Sequence, residues 1–99
     1  MIILAGHLKT SPANVDELYA ALRSLVADTL QEDGCLDYHF AIDDHAAGSI
    51  LVYERWRDQD ALNTHLALPA IGAVLGGWAD RIEIAVRKFD ASNERAFTD

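Results

Sequence analysis

Residues 51–69 read LVYERWRDQDALNTHLALP and predict a β-strand followed directly by a short helix. The residues before Asp58 are typical of strands, and Asp58 is a preferred residue type for a helix N-cap. Glu54 and Trp56 stand two residues apart, so their side chains point to one face of the sheet. His65 lies about two turns into the helix, where it can hang over the end of the strand. The stretch therefore predicts a carboxylate, an indole and an imidazole in one small volume.

These three side chains also have purely structural interpretations. Trp56 is apolar enough to be a core residue, and His65 could be an exposed residue of the helix surface. Glu54 is the one charged residue on an otherwise apolar strand face, where a carboxylate is costly unless it is paired. It is therefore either a functional residue or the partner of an arginine such as Arg81 or Arg87. Both interpretations stay open at this point.

A second strand is predicted before this stretch, beginning at Cys35. Its alternation predicts one buried face, which carries Tyr38 and Phe40 together with Leu36, and one more polar face. The polar residues 43–49, DDHAAGS, predict a hairpin connection between the two strands. Cys35 has no basic neighbour in the sequence, so we expect a buried and unreactive thiol rather than a nucleophile.

The N-terminal third predicts a strand and a helix. Residues 2–9, IILAGHLK, form a strand with apolar residues on both faces. Within it, His7 is either a hydrogen-bonded core or interface histidine or a polar group that lines a pocket. Residues 13–32 carry apolar side chains at steps of three and four, which predicts an amphipathic helix of about five turns. Asn14 and Glu17 match a capping box at its start.

The C-terminal third predicts a short helix and a last strand. Pro69 predicts the start of the helix, and Gly76 and Gly77 predict that it breaks before Trp78. The segment is either mobile, with the indole as a plug, or a simple loop that packs its tryptophan. Residues 81–89 alternate and form the last strand.

Length and charge restrict the class of protein. The 99 residues suit one domain, residues 1–90, with a polar tail over residues 91–99. The net charge of -8 disfavours binding to nucleic acids, because an acidic chain repels phosphate backbones. No apolar run reaches the roughly 20 residues that span a membrane, and the single cysteine excludes an internal disulfide. We therefore expect a cytoplasmic protein.

The predicted order is β-α-β-β-α-β, which is the ferredoxin-like arrangement of the α+β class. Right-handed crossovers then place both helices on one face of a four-stranded antiparallel sheet and leave the other face uncovered. Because 51% of the residues are hydrophobic, that face needs a cover. We expect a homodimer in which two sheets pack face to face.

Two segments resemble the antibiotic biosynthesis monooxygenase domain family. Residues 32–38, EDGCLDY, are similar to the family pattern E-x-G-C-x-x-Y at the start of strand two. Residues 53–69 contain Tyr-Glu-Arg-Trp, then Ala-Leu, His65 and Pro69, and resemble the pattern Y-E-x-W…A-L-x-x-H…P. The resemblance covers roughly residues 1–90 and implies a dimeric α+β barrel with a cleft between sheet and helices in each subunit.

The family contains monooxygenases that oxidise aromatic polyketides without a cofactor, quinol oxygenases, haem-degrading enzymes and an isomerase. The resemblance implies that Trp56 and His65 line the cleft and that Glu54 is the family's strand glutamate. Haem-degrading members carry an asparagine on strand one, where this chain has Gly6 and His7. The resemblance therefore does not extend to haem, although His65 is a residue type that can ligate it.

Residues and resemblance together predict a monooxygenase that oxidises a small aromatic quinol or polyphenol with molecular oxygen. A base deprotonates the substrate, and the electron-rich anion passes an electron to oxygen. We expect no metal and no organic cofactor, since there is neither an H-x-x-x-H pair nor a pair of cysteines. The candidate catalytic residues are His65, Glu54 and His7. The candidate substrate-binding residues are Trp56, Tyr38, Phe40 and Trp78.

Two other functions stay open. An isomerase acting on a small keto or phosphosugar-like substrate would use Glu54 and His65 as proton shuttles, and a polar pocket would favour it. A dimer that binds a small molecule without catalysis would need only the fold.

Overall fold

An antiparallel sheet of four strands organises the chain, and the computed structural model describes residues 1–99. The sheet order is β2-β3-β1-β4, which confirms the predicted ferredoxin-like α+β fold. The strands are β1 (Ile2–Lys9), β2 (Cys35–Asp44), β3 (Ser49–Trp56) and β4 (Glu83–Asp90). The helices are α1 (Val15–Arg23), α2 (Val26–Thr29), α3 (Gln59–Leu66) and α4 (Pro69–Trp78), and a 3-10 turn (Pro12–Asn14) precedes α1. None of these helices combines the length and apolar character needed to cross a membrane.

The predicted single helix over residues 13–32 is wrong, because the structure divides it into α1 and α2. At the break, the Leu25 amide donates to the carbonyl of Leu22, three residues back instead of four. The Ser24 hydroxyl donates to the Ala21 carbonyl at 2.6 Å, which is the kind of local bond that competes with helix geometry. The break directs the chain after α2 back towards the sheet.

The two predicted helix caps have different outcomes. Asp58 has an extended backbone and its carboxylate accepts from the Ala61 amide at 2.8 Å, which confirms the predicted N-cap of α3. Asn14 makes no side-chain cap, so the predicted capping box is wrong. The 3-10 turn keeps Asn14 near helical angles, whereas a capping residue needs an extended backbone.

Strand β2 contains a β-bulge that the sequence did not predict. Cys35 lies opposite Trp56 and Asp37 lies opposite Arg55, so Leu36 between them has no partner on β3. Leu36 is exposed, and its predicted place on the buried face is wrong. Between this bulge and a second irregularity at Asp43 the alternation is regular, and Tyr38 and Phe40 are buried as predicted.

Helix α4 begins at Pro69 as predicted, but it does not break at the glycines. It continues through Gly76 and Gly77 to Trp78, so the predicted break is wrong. The Trp78 side chain is buried in the core, and the Arg81 guanidinium stacks 3.8 Å from the centre of its ring. The stacked cation covers the outer side of the indole.

The two faces of the sheet differ in burial. Leu8 on β1 and Val52 on β3 point to the helices and are buried. Alternate residues point away from the helices, and three large apolar side chains there are exposed: Leu51, Tyr53 and Phe89. Residues 91–99 contain no helix or strand, and Phe97 in this tail is fully exposed. One face of the sheet thus remains open in the single chain.

Candidate active site

Glu54 lies on the central strand β3, on the face that the helices cover. The register places it opposite Tyr38 of β2 and opposite Leu4 of β1. Residues that face each other across antiparallel strands project to the same side, so these three side chains form a row. Glu54 is only 8% exposed, and Tyr38 is only 3% exposed.

The Glu54 carboxylate accepts a hydrogen bond from the indole N–H of Trp56 at 3.0 Å. Burial raises the pKa of Glu54, while the Trp56 hydrogen bond and the charge of His65 lower it by smaller amounts. No arginine contacts this carboxylate, so its predicted structural pairing with Arg81 or Arg87 is wrong. A carboxylate held by a neutral donor in an apolar wall is available to a ligand.

His65 on α3 is 2% exposed, so the interpretation as a surface residue is wrong. Its Nδ1 lies 3.0 Å from each carboxylate oxygen of Glu32, in the turn that follows α2. The Trp56 ring lies 4.6 Å from the imidazole centre, and the Tyr38 ring meets it edge-on at 5.3 Å. The imidazole is thus held by one hydrogen bond and two aromatic contacts.

The contact with Glu32 determines which nitrogen of His65 is available. A carboxylate only accepts, so Nδ1 carries a proton in this contact, and in the neutral ring the lone pair then lies on Nε2. Nε2 has no hydrogen-bond partner in the chain. Every fully buried side-chain nitrogen or oxygen has such a partner, so Nε2 is not fully buried. Nε2 therefore keeps access to the cavity that the ring lines.

This cavity has a volume of about 150 Å³ and lies between the sheet and the helices. Leu4 and Val86 of the sheet, Leu22 of α1 and Ile71 of α4 are among its apolar walls. The lining residues that carry polar groups are Glu54, His65 and Tyr38. An apolar cavity of about 150 Å³ is large enough for one aromatic ring.

Burial also changes the acidity of two side chains near the cavity. It raises the pKa of the Tyr38 hydroxyl, and the charge of Glu54 adds to this effect, so Tyr38 is a hydrogen-bond donor at neutral pH. Burial and nearby carboxylates raise the pKa of Cys35 to about 11. The thiol is half-buried, whereas the sequence predicted a buried one, and its raised pKa keeps it protonated at neutral pH.

The structure brings four of the seven predicted site residues to the cavity wall: His65, Glu54, Tyr38 and Phe40. Trp56 is completely buried behind the wall, where it contacts the first two of these without lining the cavity. Trp78 lies in the core below Arg81 and does not line the cavity either.

His7 lies apart from the other candidates, on the open face of the sheet. It sits opposite Leu51 and Ala85, and its Nε2 is 3.3 Å from Asp43. Within one chain, the sheet separates His7 from the cavity.

Glu32 is the residue that the sequence interpretation missed. It opens the EDGCLDY segment, and that position is the one signal that could have singled it out. Its partner His65 stands 33 positions further along the chain, so no local spacing connects the two. Only the return of the chain after α2 brings them together.

The same residues bear on metal and haem binding. No group of three or more His, Cys, Asp or Glu side chains is arranged to hold a metal ion. The cavity volume of about 150 Å³ is below the roughly 300–1,000 Å³ typical of pockets for drug-sized ligands.

Comparison with known proteins identifies chains that are similar to this one. The model of the family described as antibiotic biosynthesis monooxygenase matches residues 1–75. A crystal structure from Deinococcus radiodurans, provisionally described as an antibiotic biosynthesis monooxygenase, has a TM-score of 0.86 and 28% identity, with 98% of each chain covered. PA3566 from Pseudomonas aeruginosa has a TM-score of 0.78 and 26% identity, over 95% of this chain and 94% of that one.

Two further relatives show the fold or the extent of the match. Rv0793 from Mycobacterium tuberculosis shares the fold, with a TM-score of 0.83 and 22% identity over 96% of this chain and 98% of that one. The uncharacterized protein sll1783 of Synechocystis is 32% identical over 68 residues, which are 69% of this chain and 46% of that protein. The chain thus matches about half the length of this curated relative.

Proposed function

This chain belongs to the antibiotic biosynthesis monooxygenase family, and we propose that it oxidises a small aromatic quinol or polyphenol with molecular oxygen, without a cofactor. The observation that carries the proposal is an apolar cavity of about 150 Å³ whose lining includes Glu54, His65 and Tyr38. Apolar walls suit an aromatic ring, and the polar groups suit its hydroxyls.

In the proposed reaction, His65 is the base. Its Nε2 removes a proton from a substrate hydroxyl, and the resulting anion passes one electron to oxygen. The two radicals combine to form a carbon–oxygen bond, and the O–O bond of the hydroperoxide then breaks as a ring proton leaves. A quinol and one oxygen molecule thereby give a hydroxyquinone and one water. We propose His65 over His7 because His7 lies on the other face of the sheet.

Tyr38 and Glu54 have supporting roles in this proposal. The Tyr38 hydroxyl stays protonated and can donate to the substrate oxygen that becomes negative. Glu54 can accept from a second hydroxyl, or donate to a quinone oxygen when it is protonated. Phe40 and the aliphatic walls surround the ring of the substrate with apolar groups.

The character of the cavity disfavours the isomerase alternative. A phosphosugar-like substrate carries negative charge, and neither lysine nor arginine lines the cavity. Such a charge would be buried beside Glu54 without a cation.

Oxygen consumption by metal-stripped protein tests the proposal. The substrates are hydroquinones and catechols, whose single ring matches the size of the cavity, and His65→Ala is compared with the wild type. His45→Ala is the matched control, since His45 is an exposed histidine that contacts Asp16 outside the cavity. We expect uptake by the wild type and by His45→Ala, and a loss of roughly 10²-fold or more in His65→Ala. Uptake no faster than buffer with every substrate would favour a binding protein without catalysis.

The open face of the sheet supports a second part of the proposal, a homodimer. Leu51, Tyr53 and Phe89 lie there and are 43%, 38% and 51% exposed. Large apolar side chains left exposed on one face of a sheet are commonly covered in an assembly. We propose that two copies pack these faces together, with His7 at the interface.

A further inference from the structure

We propose that Glu32 is a positioning residue, whose carboxylate holds His65 in the one tautomer that can accept a proton from a ligand in the cavity. The inference rests on the proposed function only in taking His65 as the base. Glu32 does not line the apolar cavity itself, and acts through the imidazole.

The four histidines of the chain show why this contact is unusual. Each has a carboxylate partner, at distances between 3.0 and 3.4 Å. The contacts of His7, His39 and His45 use Nε2, whereas His65 alone uses Nδ1. Only in His65 is Nε2, the nitrogen at the outer end of the ring, left free.

Burial further separates this pair from the other three. The His65 side chain is 3% exposed and that of Glu32 is 19% exposed, whereas the side chains of His45 and Asp16 are 58% and 76% exposed. Water and salt screen an exposed pair strongly and a buried pair much less. The Glu32 carboxylate therefore has the stronger influence on the charge and tautomer of its histidine.

The consequence for chemistry is specific. A neutral imidazole with its proton on Nε2 has no lone pair there and cannot act as a base towards the cavity. With Nδ1–H donated to Glu32, Nε2 accepts the substrate proton and the ring becomes an imidazolium beside a carboxylate. The attraction between them stabilises that cation, and Glu32 itself need not take up the proton.

The first test separates turnover from binding. Glu32→Gln keeps the shape of the side chain but removes its charge, and the Gln amide can donate to Nδ1 and favour the wrong tautomer. We expect kcat for quinol oxidation to fall roughly 10²-fold or more, with KM almost unchanged. Asp16→Asn makes the same change in the exposed pair and is expected to match the wild type.

Chemical rescue separates positioning from a structural role. Glu32 also lines two grooves on the outer surface, one beside Arg57 and Thr64 and the other beside Asp28. In Glu32→Ala, added formate can enter from these grooves and accept from Nδ1. We expect formate to restore part of kcat in Glu32→Ala and none in His65→Ala.

Nitrogen NMR of the ¹⁵N-labelled histidines gives a readout that needs no turnover. In the neutral form of wild-type His65, we expect the proton on Nδ1, and in Glu32→Gln a mixture or the Nε2–H form. If the wild type oxidises no quinol, the proposed function fails while this spectrum still decides the role of Glu32. The same tautomer in both proteins, or an unchanged kcat in Glu32→Gln, would overturn the positioning role.

Discussion

The buried carboxyl of Glu54 links the site to the stability of the protein. Its pKa is raised above the ordinary value of 4.5, chiefly by burial, so the folded state holds a proton at pH values where the unfolded chain has lost it. The folded state thus binds more protons, and stability falls as the pH rises from that ordinary value through the folded pKa. The contribution of Glu54 to stability is fully present only below the pKa of Glu54 in the unfolded chain, where its carboxyl is neutral in both states.

Glu54→Gln tests this directly, because the Gln amide oxygen can still accept from Trp56 but carries no charge. We expect the variant to become more stable relative to the wild type as the pH rises from about 4, which is near the usual Glu pKa, to about 7.5. Urea unfolding at both pH values measures the difference. Glu83→Gln is the control, because the Glu83 side chain is exposed and makes no hydrogen bond. It should show no such trend. A difference for Glu54→Gln that does not change with pH would contradict the account.

At the same scale, the sequence predicted part of the site. The two-residue spacing of Glu54 and Trp56 correctly placed both on one face of the sheet, and the helix after Asp58 brought His65 above them. Glu32 could not be predicted, because its contact depends on where the turn after α2 ends. No local pattern carries that information.

At the scale of elements, α3 determines where the imidazole lies, and Asp58 fixes the start of this helix. We expect Asp58→Ala to lower the free energy of unfolding by about 1 kcal/mol, because the Ala61 amide loses its acceptor. Urea unfolding measures this loss. Asp80→Ala, in the turn after α4, is the control and should change little, since no hydrogen bond is made by its side chain. Equal stabilities of the two variants would show that the cap does not hold α3.

The elements also show the limit of periodicity in this chain. Apolar residues at helical steps continue across the break at Ser24 and Leu25, but the buried residue of α2 is Thr29 and Leu30 is exposed. The bulge at Leu36 shifts the pairing of β2 by one residue, which an alternating pattern cannot reveal. Gly76 and Gly77 remain helical because Trp78, the last residue of α4, anchors the end of the helix in the core.

At the scale of the whole molecule, the order of elements was enough to predict the fold. Strands and helices in the order β-α-β-β-α-β have few compact arrangements once crossovers are right-handed, and the observed sheet is one of them. The order of elements does not describe the side chains of the open sheet face. It therefore could not predict what covers that face.

The proposed homodimer is tested at that surface. We expect light scattering after size exclusion to give twice the mass of one chain for the wild type. Leu51→Glu places a charge in the middle of the open face and should give a monomer. Leu30→Glu is a matched control, because Leu30 is 44% exposed, like Leu51 at 43%, but follows α2 on the helix side. A wild-type monomer, or equal effects of both variants, would contradict the dimer.

The central claim is that the cavity supports transfer of one oxygen atom to an aromatic ring, with His65 as the base. The most direct measurement is the mass of the product when metal-stripped protein oxidises a hydroquinone under ¹⁸O₂. We expect a hydroxyquinone that carries one ¹⁸O atom, formed by the wild type and by His45→Ala but hardly by His65→Ala. A product without label, or labelled product formed equally fast by His65→Ala, would contradict it.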